Sequence, residues 1–103
     1  MSIDITPPVG IHLHNWAYSP HPTATGIHQP LKAQILAVGN DGNGFIQLLV
    51  SVDFGWWMSA ADEWVFRNTI LQTTQLPEAQ LILALTHTHS GPSISRDDRD
   101  RPG

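Results

Sequence analysis

Two apolar runs around a polar turn open the regular part of the chain and predict a β-hairpin. Its strands are expected near residues 31–39 and 45–53, on either side of the turn sequence NDGNG. Asn, Asp and Gly supply the positive φ angles that a tight turn requires. The second run is almost wholly apolar from Leu48 to Val52, which is typical of a strand buried on both faces.

Helix signals follow the hairpin, and a third apolar run follows the helix. Ser59 is a favourable N-cap residue, and Asp62 stands three positions later in a weak capping box. A helix is therefore predicted near residues 59–75, limited at its far end by Pro77. The run LILAL then predicts a strand near residues 80–86.

The order strand, strand, helix, strand indicates an α/β fold. Because the helix connects the last two strands as a crossover, those strands are predicted to be parallel neighbours. The expected architecture is a mixed β-sheet with a β-hairpin and a β-α-β crossover, in which Trp64 of the helix lies in the core. With one long helix available, one face of the sheet is expected to remain uncovered and to offer a surface for homo-oligomer formation.

Residues 1–30 show no regular pattern of this kind. They hold most of the prolines and four of the six histidines. Since proline fixes φ and removes a backbone donor, the segment is expected to run as extended and turning chain. Irregular segments of this length in small domains are often functional.

The composition of the chain excludes several classes of protein. Charged residues make up 14% of the chain and the formal net charge is −4, which argues against nucleic acid as a partner. There is no cysteine, so disulfides and cysteine zinc sites are excluded. No signal peptide and no apolar run long enough to span a bilayer are visible. We expect a cytoplasmic location, with secretion of a longer parent protein left open.

Two histidines stand directly after the last predicted strand, in the sequence THTHSGP. Residues two apart on an extended chain point to one side, about 6.5 Å apart, so His87 and His89 could converge on one zinc ion. Hydrogen bonding at a strand end is the alternative, and spacing alone slightly favours it. Gly91 permits a close backbone approach to a ligand. Ser90 lacks the G-x-S-x-G context of a nucleophile, which favours a turn or supporting role.

Asp53 ends the strand predicted to lie beside that of the histidines. Since sites in such sheets lie beyond the carboxyl ends of the strands, Asp53 is a candidate third ligand or catalytic carboxylate. A strand-end hydrogen bond is an equally good interpretation. His28 is a weaker candidate ligand. Trp56 and Trp57 are expected either to line a substrate pocket or to pack the corner between sheet and helix.

The THTHSGP sequence after an apolar strand resembles the signature of the neutral/alkaline, non-lysosomal ceramidase family. The resemblance extends upstream, in order, through DITPPVG, GIHQPLKAQILAV, LLVSVDFGW and LPEAQLILALTHTHSGP. These segments are similar to the opening part of that family's N-terminal catalytic domain, from about Asp4 to Pro92. The resemblance implies a zinc-dependent amidase that hydrolyses the N-acyl bond of ceramide to sphingosine and a fatty acid.

The same resemblance implies roles for individual residues. By the resemblance, His87 matches a zinc ligand and His89 lies within the active site. Together with Ser90 and Asp53, which are candidates from their positions at the strand ends, His89 makes up the predicted catalytic set. The family's other ligands (a second His, a Glu and a Tyr) lie downstream of the matching region. Residues 1–95 are therefore expected to form the N-terminal part of a larger α/β hydrolase domain, and residues 96–103 a mobile charged tail.

The sequence supports two hypotheses for the function of this protein. A catalytic zinc needs about three protein ligands and an open position, so the 103-residue chain by itself is expected to be inactive. The leading hypothesis is a segment of a zinc amidohydrolase that acts on a small-molecule or lipid amide. The alternative is a small non-catalytic α/β domain that binds metal or a partner.

Overall fold

A four-stranded mixed sheet with a single long helix forms the body of the protein. The computed structural model describes residues 1–13, 21–39, 42, 44, 46–92 and 94. Residues 96–103, predicted to be a mobile tail, lie outside them. The elements are β1 (Ser2–Asp4), β2 (Lys32–Gly39), β3 (Ile46–Val52), α1 (Ala60–Thr74), a 3₁₀ turn (Glu78–Gln80) and β4 (Leu81–Leu85).

The strands lie in the order β1-β2-β3-β4. β2 runs antiparallel to β1 and β3, whereas β3 and β4 are parallel, with α1 between them in the chain. The predicted hairpin, crossover and mixed sheet are thus confirmed. Within the turn NDGNG only Gly42 and Gly44 are described, and Gly44 has the expected positive φ, 68°.

One strand was missed by the sequence analysis. β1 pairs with β2 over three residues within the segment predicted to be irregular. Its length gives too few positions for an alternating pattern to show. Thr6 fixes the chain where β1 ends, because its backbone amide and hydroxyl both donate to Asp4 Oδ1, at 2.9 and 2.6 Å. These hydrogen bonds lower the pKa of Asp4.

The core lies between the sheet and α1. Val50, Val52 and Leu81 are buried there, and Ile70 and Leu71 are among the partly buried residues that pack against them. The pairing register places Leu83 beside Val50 and Leu85 beside Val52, so the two parallel strands present a continuous apolar surface to the helix. Burying this surface is the main driving force for folding.

The prediction that Trp64 lies in the core is wrong. Its side chain is 48% exposed, and Val65 is 40% exposed. The buried side of α1 instead carries Asp62, Phe66 and Ile70, which repeat every four residues and therefore share one helix face. Trp64 lies two positions from Phe66, about 200° around the helix, and so points away from the sheet.

The opposite side of the sheet has no covering layer among the described residues, as expected from the single helix. The buried residues of β3, Val50 and Val52, therefore lie on one face only, contrary to the prediction of a strand buried on both faces, and Ile82 of β4 is 51% exposed. We call this side the open face. It carries Gln34, Leu36, Val38, Gln47, Leu49, Ser51, Ile82 and Ala84.

No helix among the described residues is both long and apolar enough to cross a membrane. The longest, α1, has 15 residues.

Ser59 caps α1 as predicted, and its replacement gives the first test of the fold. Ser59 Oγ accepts a hydrogen bond from the Asp62 backbone amide (3.1 Å) and donates to Asp62 Oδ2 (2.7 Å). Ser59→Ala should lower the free energy of unfolding by about 1–2 kcal/mol, because it removes the cap and a partner of the buried carboxylate. Urea denaturation followed by circular dichroism measures the change. Ser59→Thr retains the hydroxyl, so an equal loss in both variants would contradict the capping role.

Candidate active site

The carboxyl ends of the two parallel strands form the site. β3 ends immediately before Asp53, and β4 is extended by one ladder hydrogen bond, from Thr86 N to Val52 O at 3.0 Å. The segments that follow β3 and β4 both leave the sheet at the same edge, as the crossover topology requires. Asp53 and the histidine motif are therefore positioned by the ends of the parallel strand pair, β3 and β4.

The backbone turns sharply at His87. Its φ of 58° lies in the left-handed region, which is uncommon for residues other than glycine. The extended geometry assumed for the H-x-H motif therefore does not apply at this residue. The two imidazoles nevertheless lie together, with ring centroids 4.9 Å apart and planes at 85°. The turn, and not strand alternation, brings the two rings to one place.

A hydrogen bond to the backbone fixes the ring of His87. Nδ1 lies 2.9 Å from the carbonyl oxygen of Gly55. A carbonyl oxygen only accepts, so Nδ1 must carry the proton, and in the neutral ring Nε2 then bears the lone pair. Metal-binding histidines commonly have this arrangement, with one nitrogen donating to a carbonyl and the other free to coordinate. The ring of His87 is thus oriented as a ligand would be.

Trp56 forms a wall shared by both histidines. Its ring centroid lies 5.8 Å from that of His87 and 6.0 Å from that of His89. The indole is held in turn by a 3.2 Å contact between its Nε1 and Met58 Sδ. The loop after β3 therefore provides both the carbonyl that orients His87 and the aromatic surface beside the pair.

Of the two roles considered for Trp57, the structure supports packing between the sheet and the helix. Its ring packs against Phe66 of α1, at 5.4 Å between centroids, and against Phe54 at 6.5 Å. These contacts fill the corner between sheet and helix.

A cavity of about 670 Å³ lies next to the histidine motif, beneath the amino-terminal segment. Asp53, His89 and Ser90 line it on the side of the strand ends. Residues of the amino-terminal segment, among them Ile11 and Leu31, line it as well and are apolar. Of the predicted site residues, three share this cavity, while His87 lies just outside its lining.

The amino-terminal wall of the cavity is a small antiparallel ribbon that the sequence analysis missed. Gly10 N donates to Ala24 O (2.8 Å), and Ala24 N donates to Ile11 O (2.9 Å). An isolated bridge between Leu13 and Pro92 attaches the ribbon to the loop after β4. The alternation of Ile11 and Leu13 with polar neighbours was the available signal, and the many prolines obscured it.

Asp53 makes the strand-end hydrogen bond that the sequence analysis considered. Its Oδ2 accepts from the Lys32 backbone amide at 2.8 Å, and its own amide donates to Lys32 O at 2.9 Å. One carboxylate oxygen thus closes the ladder between β2 and β3. The residue also lines the cavity, so it contributes both to the fold and to the polar side of the site.

The remaining histidines occupy peripheral positions. His21 and His28 are exposed and line the cavity, and His12 is half-buried. His14 lies outside the described residues. Within the described part of the chain, no group of three or more His, Asp or Glu side chains is placed to hold a metal ion. His87 and His89 thus provide two ligands at most, and Asp53 does not complete a set of three with them here.

No family model matches this chain, and comparisons with curated proteins and with solved structures gave no match.

Proposed function

We propose that the chain is the amino-terminal part of a zinc-dependent amidohydrolase of the neutral ceramidase type. One observation carries the proposal: the Nδ1–H of His87 is held by the carbonyl of Gly55, and its ring lies 4.9 Å from that of His89. The pair, at the carboxyl edge of a parallel strand pair, fits the first part of a zinc site.

His87 would hold the zinc ion through Nε2, with His89 beside it and further ligands from outside the described residues. A zinc ion in this position supplies Lewis acidity toward an amide carbonyl. His89 lines the cavity, where its ring can donate a hydrogen bond to the oxygen of the reacting carbonyl or transfer a proton to the leaving nitrogen. Asp53 and Ser90 supply polar groups on the same wall.

The cavity favours an amide with an apolar substituent as the substrate. Its volume of about 670 Å³ suits a ligand of moderate size. Polar groups gather at the strand ends, where the amide would lie, and the amino-terminal segment contributes apolar side chains for an acyl chain. An N-acyl amide such as N-acylsphingosine has this division into a polar head and an apolar chain.

Hydrolysis of a fluorescent N-acylsphingosine by the zinc-loaded product of the complete reading frame tests this function. His89→Ala should lower kcat by about 100-fold or more, because general acid–base groups contribute on that scale. Zinc content, measured by mass spectrometry on the same samples, should fall much less than the rate. His28→Ala is the matched control, since His28 is exposed on the same cavity, and it should retain nearly full activity.

Two results would count against the amidase. A zinc-loaded protein that hydrolyses no amide in a panel that varies the acyl chain would favour the non-catalytic α/β domain. Equal rates for the wild type and His89→Ala would remove His89 from the catalytic machinery.

A further inference from the structure

Gly91, in the loop that carries His89, is buried, and the space around it is already filled. A β-carbon on this residue would lie 3.3 Å from Leu31 Cδ1, 3.6 Å from Thr88 Cγ2 and 3.7 Å from Asp53 O. Carbon atoms pack best at about 3.5–4.0 Å, so the first of these contacts is too close. The φ of Gly91 lies outside the left-handed region and does not require glycine. Glycine is needed here for space, and Leu31 sets the limit.

Hydrogen bonds on both sides of its backbone hold Leu31 in place. Its amide donates to Thr6 Oγ1 at 2.9 Å, and its carbonyl oxygen accepts from the Ile5 amide at 2.9 Å. The Thr6 hydroxyl donates in turn to Asp4 Oδ1 at 2.6 Å. A methyl group added at Gly91 therefore meets a residue whose backbone cannot retreat, and the loop after β4 has to give by a few tenths of an ångström.

This loop is anchored at two points, and His89 lies between them. At the start of the loop, His87 Nδ1 lies 2.9 Å from Gly55 O. Towards its end, Gly91 packs against Leu31. The first anchor does not involve Gly91, so a displacement at Gly91 should move the ring of His89 and leave that of His87 in place.

We propose that Gly91 and Leu31 are positioning residues, whose close contact sets where the ring of His89 lies beside that of His87. They act on the reaction through His89, so the catalytic consequence rests on the proposed amidase, whereas the placement of the two rings does not. A misplacement of 1 Å at an active site can cost about 100-fold in rate. A shift of a few tenths of an ångström should then cost about tenfold.

Nuclear magnetic resonance of the imidazole ring protons in the 103-residue chain tests the placement. Gly91→Ala should shift the signals of His89 more than those of His87, because the ring currents of the neighbouring His87 and Trp56 depend steeply on distance. Gly26→Ala is the matched control. Gly26 lines the same cavity, its φ lies outside the left-handed region, and a β-carbon there would meet no described atom within 4 Å. Its replacement should leave both sets of signals unchanged.

A compensating change tests whether Leu31 is the cause. Leu31→Ala removes Cδ1 and makes room for the methyl group, so the double variant Leu31→Ala/Gly91→Ala should show the His89 signals of Leu31→Ala alone. Gly91→Ala should also cost much less stability in that background, a non-additivity expected of residues in contact. If Gly91→Ala alone fails to fold, recovery of the circular dichroism spectrum in the double variant supports the contact. Unshifted His89 signals in Gly91→Ala, or no recovery in the double variant, would overturn the proposal.

Kinetics of the zinc-loaded product of the complete reading frame separate this inference from the amidase itself. Gly91→Ala should lower kcat about tenfold, with zinc content and KM for the fluorescent N-acylsphingosine nearly unchanged. An active enzyme whose kcat is unaffected by Gly91→Ala would overturn the positioning role and leave the amidase standing. A protein that shows the shifted His89 signals but hydrolyses no amide would do the reverse.

Discussion

Replacing His87 with alanine is expected to abolish most of the zinc affinity of this chain. The wild type offers two neighbouring imidazoles and should bind zinc weakly, since a complete structural or catalytic site takes three or four ligands. His87 is the ring whose coordinating nitrogen is set by a hydrogen bond, from Nδ1 to Gly55 O at 2.9 Å. Its loss should weaken binding by more than the roughly 10–100-fold that follows removal of an orienting partner alone. Calorimetric titration with zinc measures both affinities.

Two further histidine variants show whether the loss of zinc affinity is particular to His87. His28→Ala removes an exposed histidine from the cavity wall and should leave zinc binding intact. His89→Ala should weaken binding less than His87→Ala, because the ligand role is assigned to His87, whose Nδ1 is held by Gly55 O, whereas His89 lines the cavity as the proposed catalytic group. Equal zinc affinity of the wild type and His87→Ala would contradict the assignment of His87 as a zinc ligand. His87 would then be a hydrogen-bonding residue at a turn.

The sheet could be predicted from sequence because each signal was local and strong. The hairpin strands are separated by a turn made of Asn, Asp and Gly, and Ser59 and Pro77 mark the ends of the helix. The parallel pairing of β3 and β4 then follows from a connection long enough to hold a helix, which is the connection that parallel neighbours require. None of these inferences depends on how side chains pack.

The features that were missed depend on packing or on short pairings. Trp64 and Phe66 are equally apolar in sequence, and only the rotation of α1 on the sheet decides that Phe66 is the one that packs on the core. The buried Asp62, to which Ser59 Oγ donates a hydrogen bond at the start of α1, lies on the same helix face as Phe66. β1 and the ribbon around Leu13 pair over too few residues to leave a periodic pattern.

The position of the candidate site in the fold could be predicted from the sequence, but the geometry of its side chains could not. The topology alone brings Asp53 and the histidine motif to one edge of the sheet. The left-handed φ of His87 could not be read from THTHSGP, because histidine only sometimes adopts it. The hydrogen bond from the Lys32 backbone amide to Asp53 Oδ2 depends on the β2–β3 register, which sequence spacing fixes only loosely.

Val52→Ala is expected to be the most damaging conservative change in the core. Val52 is 1% exposed and lies between Ala33 and Leu85 in the pairing register. Truncation removes two buried methyl groups and leaves a cavity, which should lower the free energy of unfolding by about 2 kcal/mol. For a small domain with about 5–10 kcal/mol in total, this is a large fraction. The urea midpoint should fall by about 1 M.

Val38→Ala is the matched control, since it makes the same change in a neighbouring strand at a residue that is 57% exposed. It should lower the free energy of unfolding by less than about 0.5 kcal/mol. Most of the described core lies on one side of β3, so Val52 should be far more sensitive than Val38. Equal losses in the two variants would mean that the open face is covered in solution and that the sheet is buried on both sides.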